Sequence, residues 1–147
     1  MKSRHQGLVL ALALAAMTPL HARNDQNTYA LQDALNTPAA QQKLDPAIRL
    51  YFGDQPHARP TKTLGEWKTN KKTNAVNKSD QEACEWVFLS AALELQERAH
   101  REGGNAVINI KSNLNNIERS SGTQYQCANG TLMAGVALKG TVVQLPR

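Results

Sequence analysis

The sequence predicts an α+β domain: a small, mainly antiparallel β-sheet with one long helix packed on one face. Three observations lead to this prediction. Short strand-like segments precede and follow a single long helical segment. Strands and helices do not alternate regularly, as they would in a parallel α/β sheet. The 147-residue chain, once a predicted leader is removed, has the length of one domain.

Residues 1–22 have the layout of a secretory signal peptide. A short basic start is followed by an apolar run (8–17), by Pro19, and by the small residue Ala22 before a polar stretch opens at Arg23. The apolar run is too short to span a bilayer. We therefore expect cleavage between Ala22 and Arg23 and a soluble periplasmic protein. We expect no lipid anchor, because no cysteine follows the cut.

The composition argues against two kinds of partner. The chain has a formal net charge of +5, and the leader carries part of it, so the mature domain is only mildly basic. That balance requires neither a nucleic-acid partner nor a polybasic membrane anchor. No second apolar run approaches the length of about 18 residues that a membrane span needs. Aromatic residues make up 5% of the chain, so we expect a core of Leu, Val, Ile and Ala.

We divide the mature chain into an N-terminal extension, residues 23–60, and an α+β core, residues 61–147, which together form one domain. The extension is expected to contain one short helix and the first strand. Its segments are predicted as a frayed start (23–28), an ambiguous strand or helix start (29–35), a helix that begins at Thr37-Pro38 and ends near Leu44, a strand (48–52) and a loop (54–60).

The core contains the clearest helix signal. Ser79 followed by Glu82 fits a capping box, and Gly103-Gly104 supplies a left-handed end after Glu102. The first turns are apolar and the last carry i,i+4 charge pairs, so the helix is expected to begin buried and end in water. The other segments are predicted as strands (61–68, 106–110, 124–128 and 131–138 continuing to 145), polar loops (69–78 and 111–122) and a tight Asn129-Gly130 hairpin turn.

The two cysteines, Cys84 and Cys127, most simply form one disulfide in an oxidising compartment. The bond would fasten the start of the long helix to a C-terminal strand and would stabilise the fold by about 4 kcal/mol in the chain-entropy model. A pair of reactive thiols and a metal site are the alternatives. A redox pair is disfavoured because the chain has no Cys-x-x-Cys spacing.

Four short motifs resemble the RcsF/YbjQ-like domain family. They are Leu64-Gly65-Glu66 opening a strand, a helix whose amino end bears Cys84, Gly104-Asn105-Ala106-Val107 leading into a strand, and the closing strand GVALKG at 135–140. The resemblance covers about residues 62–145 and implies a β-β-α-β-β core. It also implies that the helix cysteine pairs with one shortly before the last strand, the place of Cys127.

This chain departs from the family in two ways. Lipid-anchored members carry a second disulfide, whereas Met133 takes the place of one of those extra cysteines here. Cytoplasmic members assemble into rings, which the predicted leader and disulfide argue against. The chain is also similar to small secreted bacterial proteins that carry an excinuclease label. It has neither the phosphate loop nor the zinc-finger cysteines that an ATP-driven repair subunit needs.

Candidate catalytic and metal-binding groups are scattered along the chain. His57 lies in a proline-flanked loop and His100 on the polar end of the helix, and neither has a partner at zinc-ligand spacing. Ser90 and the serines at 120–121 lack the glycine pattern of a nucleophile elbow. We therefore expect no catalytic residue, no metal and no cofactor.

A basic segment around Trp67 is the candidate contact surface for a periplasmic protein partner. It contains Lys68, Lys71, Lys72 and Lys78. Trp67 is the kind of aromatic residue that anchors interfaces, so an acidic partner is the functional hypothesis. A loop kept soluble by lysines is the simpler explanation and needs no partner.

Export, one disulfide and the family resemblance favour a non-enzymatic periplasmic protein with a binding, sensing or envelope-homeostasis role. A secreted inhibitor or immunity-type protein that blocks an envelope-active enzyme is the alternative, since it would share the small disulfide-stapled design. An enzyme of unknown class, with a site assembled from distant residues, is the third hypothesis. The sequence leaves the ligand, the partner and the oligomeric state open.

Overall fold

The computed structural model describes residues 17–18 and 22–147. Most of the predicted signal peptide, residues 1–22, therefore lies outside the described residues, and its cleavage stays a prediction. Within the described part of the chain, no helix is both long enough and apolar enough to cross a membrane.

Strands and helices follow one another without β-α alternation, which confirms the predicted α+β class. In chain order the elements are β1 (Asp25–Ala30), α1 (Leu31–Leu35), α2 (Pro38–Lys43), β2 (Arg49–Phe52), β3 (Lys62–Asn74), α3 (Asp80–Glu102), β4 (Ala106–Ser112), a 3-10 turn (Leu114–Asn116), β5 (Gln124–Asn129) and β6 (Met133–Gln144).

The six strands form one curled sheet built around β6. β3 pairs with β6 along its whole length. The opposite edge of β6 is shared, since β5 pairs with its first residues and β4 with its later ones. β1 then pairs with β5, and β2 with β4, so β1, β2 and β3 are the edge strands of the described sheet. Every pairing is antiparallel except that of β2 with β4, so the mainly antiparallel sheet is confirmed.

α3 lies across one face of the sheet, against β6 and β3. Its N-cap is the predicted one: the Ser79 hydroxyl oxygen accepts the N–H of Glu82 at 3.1 Å. Gly103 ends the helix in the left-handed conformation and donates its N–H to the carbonyls of Ala99 and His100. Buried residues continue as far as Ala99, so the predicted change from a buried to an exposed helix is only partial.

The predicted disulfide between Cys84 and Cys127 is confirmed. It ties the first turns of α3 to β5, with 5.9 Å between the two Cα atoms. Asn129, also on β5, is buried beside the bond and donates its side-chain amide to Cys84 Sγ at 3.0 Å. Its side-chain oxygen accepts from Asn27 at 2.8 Å and from the Tyr29 hydroxyl at 3.0 Å. Asn129 therefore joins α3, β5 and β1.

Two predictions for edge strands are wrong. Residues 25–28, expected to be frayed, form most of β1, because β5 offers them a partner that the local sequence does not reveal. Residues 69–74, expected to belong to a polar loop, continue β3 and pair with β6. Their lysines fit an edge strand, since charge on an exposed edge discourages pairing with other chains.

The predicted tight hairpin turn is also wrong. β5 and β6 pair only between Ala128 and Gly135 and between Asn129 and Ala134. Residues 130–132 form the connection, which is closed by a hydrogen bond from the N–H of Gly130 to a β6 carbonyl. Asn129 is not part of the turn, because its side chain is needed in the buried contacts beside the disulfide.

A candidate binding groove beside β2

A groove of about 450 Å³ lies between the short helices α1 and α2 and the edge strand β2. Ligand-binding sites commonly have volumes of roughly 300 to 1,000 Å³. The apolar part of the lining consists of Leu35, Ala40, Leu44, Pro46, Ile48 and Leu50, and the polar part of Gln41, Asp45, Arg49, Tyr51 and Gln96.

The two short helices form one wall of the groove. The Thr37 hydroxyl oxygen accepts the N–H of Ala40 at 3.2 Å, and Pro38 occupies the first helical position, which confirms the predicted start of this helix. Leu35 at the end of α1 and Leu44 after α2 are half-buried and line the groove. This arrangement leaves apolar surface next to β2.

Gln96 of α3 holds the base of the groove in place. Its side chain is buried, and its amide donates to the carbonyls of Asp45 at 3.0 Å and Ile48 at 2.8 Å. Its side-chain oxygen accepts the N–H of Asp45 at 3.0 Å. Three hydrogen bonds from one side chain therefore fix the turn between α2 and β2 against α3.

Asp45 makes a second connection between this turn and α3. Its carboxylate accepts the N–H of Ala47 at 2.8 Å and contacts Nε2 of His100 at 2.7 Å. The Ala47 N–H, and after it the His100 ring, lower the pKa of Asp45, while partial desolvation opposes them. Asp45 therefore belongs to the frame of the groove.

The main chain of β2 is open on the side away from β4. Arg49 donates its N–H to the carbonyl of Asn105 at 3.1 Å, so its main-chain groups point towards β4. Since these groups alternate in direction along a strand, those of Leu50 and Phe52 point towards the free edge. The N–H of Phe52 is accepted by the Gln55 side chain at 2.9 Å, and its carbonyl accepts the N–H of Gln55 at 3.1 Å.

Two glutamine side chains thus cover the positions on either side of Leu50. The Gln55 side chain accepts the N–H of Phe52, and the Gln96 side chain donates to the carbonyl of Ile48. In the described part of the chain, the N–H and C=O of Leu50 meet no hydrogen-bond partner. One main-chain donor and one acceptor are therefore open beside the apolar groove.

The predicted contact surface around Trp67 lies mainly on β3, and its residues face different sides of the sheet. Trp67 and Lys71 face α3. The Arg98 guanidinium lies 5.5 Å from the centre of the Trp67 ring, and Lys71 Nζ pairs with Glu94 at 2.7 Å. Both side chains are therefore already in contact with α3.

The other predicted contact residues do not extend that surface. Lys68 and Lys72 lie on the opposite face, because side chains alternate along a strand, and Lys68 Nζ donates to Asn116 at 3.4 Å. Lys78 follows the strand, and its Nζ donates to the carbonyl of Asn74 at 3.1 Å. The five residues do not form one continuous face, and their role in partner contact stays a prediction.

The other chemically interesting residues lie apart from one another. The His57 ring lies 5.4 Å from the Tyr51 ring, between ring centres, and the Ser90 hydroxyl donates to the carbonyl of Trp86 at 3.3 Å within its own helix. Across residues 17–18 and 22–147, no group of three or more His, Cys, Asp or Glu side chains is arranged to hold a metal ion.

One sequence signal for the groove is a glutamine on an otherwise apolar helix face. Gln96 shares the buried helix face with Ala92, four residues before it, and Ala99, three residues after it. A polar side chain on such a face must find hydrogen-bond partners. The partners lie about 50 positions away in the chain, so the signal predicts a contact but not its place.

No family model, curated protein or solved structure matches this chain. The resemblance to the RcsF/YbjQ-like domains therefore stays a prediction from short motifs.

Proposed function

We propose that the protein is a non-enzymatic periplasmic binding module that takes an extended segment of a partner protein into the groove beside β2. The observation that carries this proposal is the open main-chain pair of Leu50 next to an apolar groove. An extended peptide can add to an exposed sheet edge by main-chain hydrogen bonds, which give affinity, while adjacent pockets select its side chains.

The two glutamines set the register of the bound segment. Because Gln55 and Gln96 cover the neighbouring positions, one peptide residue pairs with Leu50 through two hydrogen bonds. A neighbouring peptide residue then places its side chain against Leu35 and Leu44. Burial of apolar surface favours a large aliphatic or aromatic side chain at that place.

The polar groups of the groove support binding rather than bond-breaking chemistry. The Asp45 carboxylate is held by the Ala47 N–H and the His100 ring. The Gln96 side chain makes its hydrogen bonds with the main chain of the turn. Arg49 lies exposed at the rim. Its guanidinium suits a carboxylate of the bound segment, because it can donate two parallel hydrogen bonds.

The predicted leader and the disulfide support the periplasmic location. Disulfides persist in oxidising compartments and are rare in the cytosol. The bond between Cys84 and Cys127 also ties the long helix to the sheet. The groove is therefore carried by a scaffold suited to the envelope, where it would bind exposed segments of other envelope proteins.

The test selects peptides and then follows the Leu50 amide. The oxidised protein is panned against a phage-displayed library of random nonapeptides, and amide hydrogen exchange is measured with a selected peptide. Exchange of the Leu50 amide is expected to slow by at least about tenfold on binding. The Arg49 amide is already bonded to Asn105, so it serves as the internal control and should not change.

Leu50→Pro and Leu50→Ala are the matched variants. Both remove the leucine side chain, but only proline removes the N–H, and proline is tolerated on an edge strand where that N–H faces away from the ladder. We expect the peptide to bind Leu50→Pro about fivefold more weakly than Leu50→Ala, the value of one hydrogen bond. Thermal unfolding verifies that both variants fold.

Three results would overturn the proposal. Panning that selects no binding peptide is the first. A complex in which the Leu50 amide exchanges as fast as in the free protein is the second. Equal peptide affinities of the two folded Leu50 variants are the third, because main-chain pairing would then contribute nothing.

A further inference from the structure

A polar pocket of about 320 Å³ lies between β3 and the loop that follows β4, on the sheet face opposite α3. Its lining includes Lys68, Asn70, Asn113, Asn115, Asn116 and Ala137. Because most of these residues are asparagines, we call it the asparagine pocket. Its lining shares no residue with the groove beside β2. The asparagine pocket is therefore a second candidate site, independent of that groove.

The loop after β4 reaches across β6 towards β3. The N–H of Asn113 donates to the carbonyl of Ala137 at 2.8 Å on one side of β6, and Asn70 pairs with Ala137 from the other side. Further along the loop, the Asn116 side-chain oxygen accepts from Lys68 Nζ at 3.4 Å. The sheet therefore forms the floor of the pocket at Ala137, and the loop and β3 form its walls.

Asn113 brings an amide without a partner to the pocket. The residue is only 6% exposed, yet its side chain makes no hydrogen bond within the part of the chain that the structure describes. Polar side chains that are this deeply buried normally have partners. An asparagine amide offers two N–H donors and an accepting oxygen. Since Asn113 lines the pocket, these groups are available to a molecule that enters it.

The charge around the asparagine pocket is positive. The carboxylates on this sheet face and its loop are Glu66, Glu118 and, beside the far end of the loop, Asp54. The cations are Lys68, Lys72, Lys111, Arg119 and Lys139. Lys139 contacts both Glu66 and Glu118. Lys68 contacts no carboxylate of the described residues and lines the pocket, so its ammonium group favours an anionic group in the ligand.

We infer that the asparagine pocket binds a single sugar unit that carries a carboxylate. Hydroxyl groups both donate and accept hydrogen bonds, as the asparagine amides do, so a ligand rich in hydroxyls matches this lining. Lys68 donates to the carboxylate of the sugar, a charge-assisted contact. The volume lies near the lower end of the roughly 300 to 1,000 Å³ found for ligand sites, which suits one sugar ring. Ala137 is the only apolar residue named in the lining, so an apolar ligand fits poorly.

The test is an NMR titration of the oxidised, isotope-labelled protein with three acidic sugars: glucuronate, galacturonate and N-acetylmuramate. Their neutral counterparts are glucose, galactose and N-acetylglucosamine. We expect at least one acidic sugar to bind with a dissociation constant on the order of 1 mM, and its counterpart to bind at least about fivefold more weakly. The side-chain amide signals of Asn113 should shift along the same binding curve.

Lys68→Gln and Lys72→Gln are the matched variants for the charge. Both residues are exposed lysines on the same face of β3, but only Lys68 lines the pocket. Lys68→Gln should bind the acidic sugar at least about fivefold more weakly and the neutral counterpart as before. Lys72→Gln should change either affinity by less than about twofold.

Asn113→Ala tests the unpartnered amide and should weaken binding of the acidic sugar by about fivefold or more, the effect of at least one hydrogen bond. Because Asn113 is buried, thermal unfolding is measured to show whether this variant folds. Asn70→Ala is the second variant, since Asn70 is exposed on an edge strand and its loss should leave the fold intact. It should also bind the acidic sugar more weakly, by about fivefold.

Three outcomes would count against the inference. The first is that none of the acidic sugars shifts the Asn113 signals up to about 50 mM, a concentration far above the expected dissociation constant; the pocket would then hold only water. The second is equal binding of acidic and neutral sugars, or of acetate and the acidic sugar, because either result removes one half of the assigned ligand. The third is unchanged affinity in the folded asparagine variants.

Discussion

Gln96 holds the turn that frames the groove, since its buried side-chain amide donates to the carbonyl oxygen of Ile48 at 2.8 Å. The same side chain exchanges hydrogen bonds with the main chain of Asp45. Gln96 lies on α3 and its partners lie in the N-terminal extension. The turn that leads into β2 is therefore held by one glutamine of the core, while β4 pairs with the strand itself.

Replacing Gln96 with leucine should destabilise the protein. The substitution leaves the carbonyl of Ile48 and the N–H of Asp45 without partners, while the carbonyl of Asp45 keeps the N–H of Ile48, and each unsatisfied group carries a desolvation cost. We expect the free energy of unfolding to fall by about 2 to 4 kcal/mol, measured by urea denaturation. Gln81→Leu is the control on the same helix, because Gln81 is exposed and bonds only to Glu85, and it should change stability by less than about 0.5 kcal/mol.

The long helix was predictable because its signals are local. The Ser79 cap and the stop at Gly103 depend on residues within one turn of the helix ends, and both are found in place. The disulfide was predictable because a compartment argument left two cysteines with one simple pairing. In both cases the deciding information lies in short segments or in residue counts.

The edge strands and the groove depend on distant contacts and could not be predicted in this way. Residues 25–28 form a strand only because β5 lies beside them, and residues 69–74 only because residues 133–138 of β6 lie beside them. Asn129 carries a turn signal, yet burial beside Cys84 decides its place. The groove combines residues about 50 positions apart, a pairing that no local pattern contains.

Reduction of the disulfide should lower stability without changing the fold class. The bond links residues 43 positions apart, and the chain-entropy model gives about 4 kcal/mol for a loop of this length, with native strain reducing the gain. We expect urea unfolding of reduced protein, and of the Cys84→Ala/Cys127→Ala variant, to show a free energy lower by about 2 to 4 kcal/mol. Free thiols in protein purified without a reductant would contradict this bond.

The turn at Asp45 should lose support in acid. The pKa of Asp45 is lowered from its ordinary value of 3.8 by the N–H of Ala47 and then by His100. A carboxyl group with a depressed pKa in the folded protein contributes stability that is fully present above the unfolded value, and this contribution is lost as the pH falls through the folded value.

Comparison with Asp45→Asn measures this effect. The difference in free energy of unfolding between the unaltered protein and Asp45→Asn should be constant well above pH 3.8 and should shrink as the pH falls below that value. Urea denaturation across an acid pH series is the measurement. A difference that grows as the pH falls would mean that the pKa of Asp45 is raised, contrary to its contacts.

The lysines of β3 should keep the protein from associating through its free edge. Lys68 and Lys72 are exposed on a 13-residue edge strand, and charge on such a strand opposes pairing with another chain. We expect Lys68→Thr with Lys72→Thr to self-associate at lower concentration, measured by sedimentation velocity. Lys43→Thr removes a positive charge on α2 instead and should remain as dispersed as the unaltered protein.

The two glycines after α3 serve different purposes, which substitution can separate. Gly103 has a φ of 76° and open space around its missing Cβ, so only its conformation demands glycine. A Cβ on Gly104 would lie 2.5 Å from Val142 Cγ1 and 2.9 Å from the carbonyl oxygen of Val143. The second position therefore needs glycine for space, because β6 passes directly beside it.

Alanine at either position should destabilise the protein. Asparagine should distinguish the conformational requirement at Gly103 from the space requirement at Gly104. We expect a cost of about 1 to 2 kcal/mol for Gly103→Ala from the left-handed conformation, and about 2 to 3 kcal/mol for Gly104→Ala from overpacking. Asparagine tolerates the left-handed region, so Gly103→Asn should recover part of the loss in urea denaturation. Gly104→Asn should be at least as destabilising as Gly104→Ala, since its side chain is larger and β6 cannot move away without losing its pairing with β4. Recovery by asparagine at position 104 would mean that conformation, rather than the approach of β6, requires the second glycine.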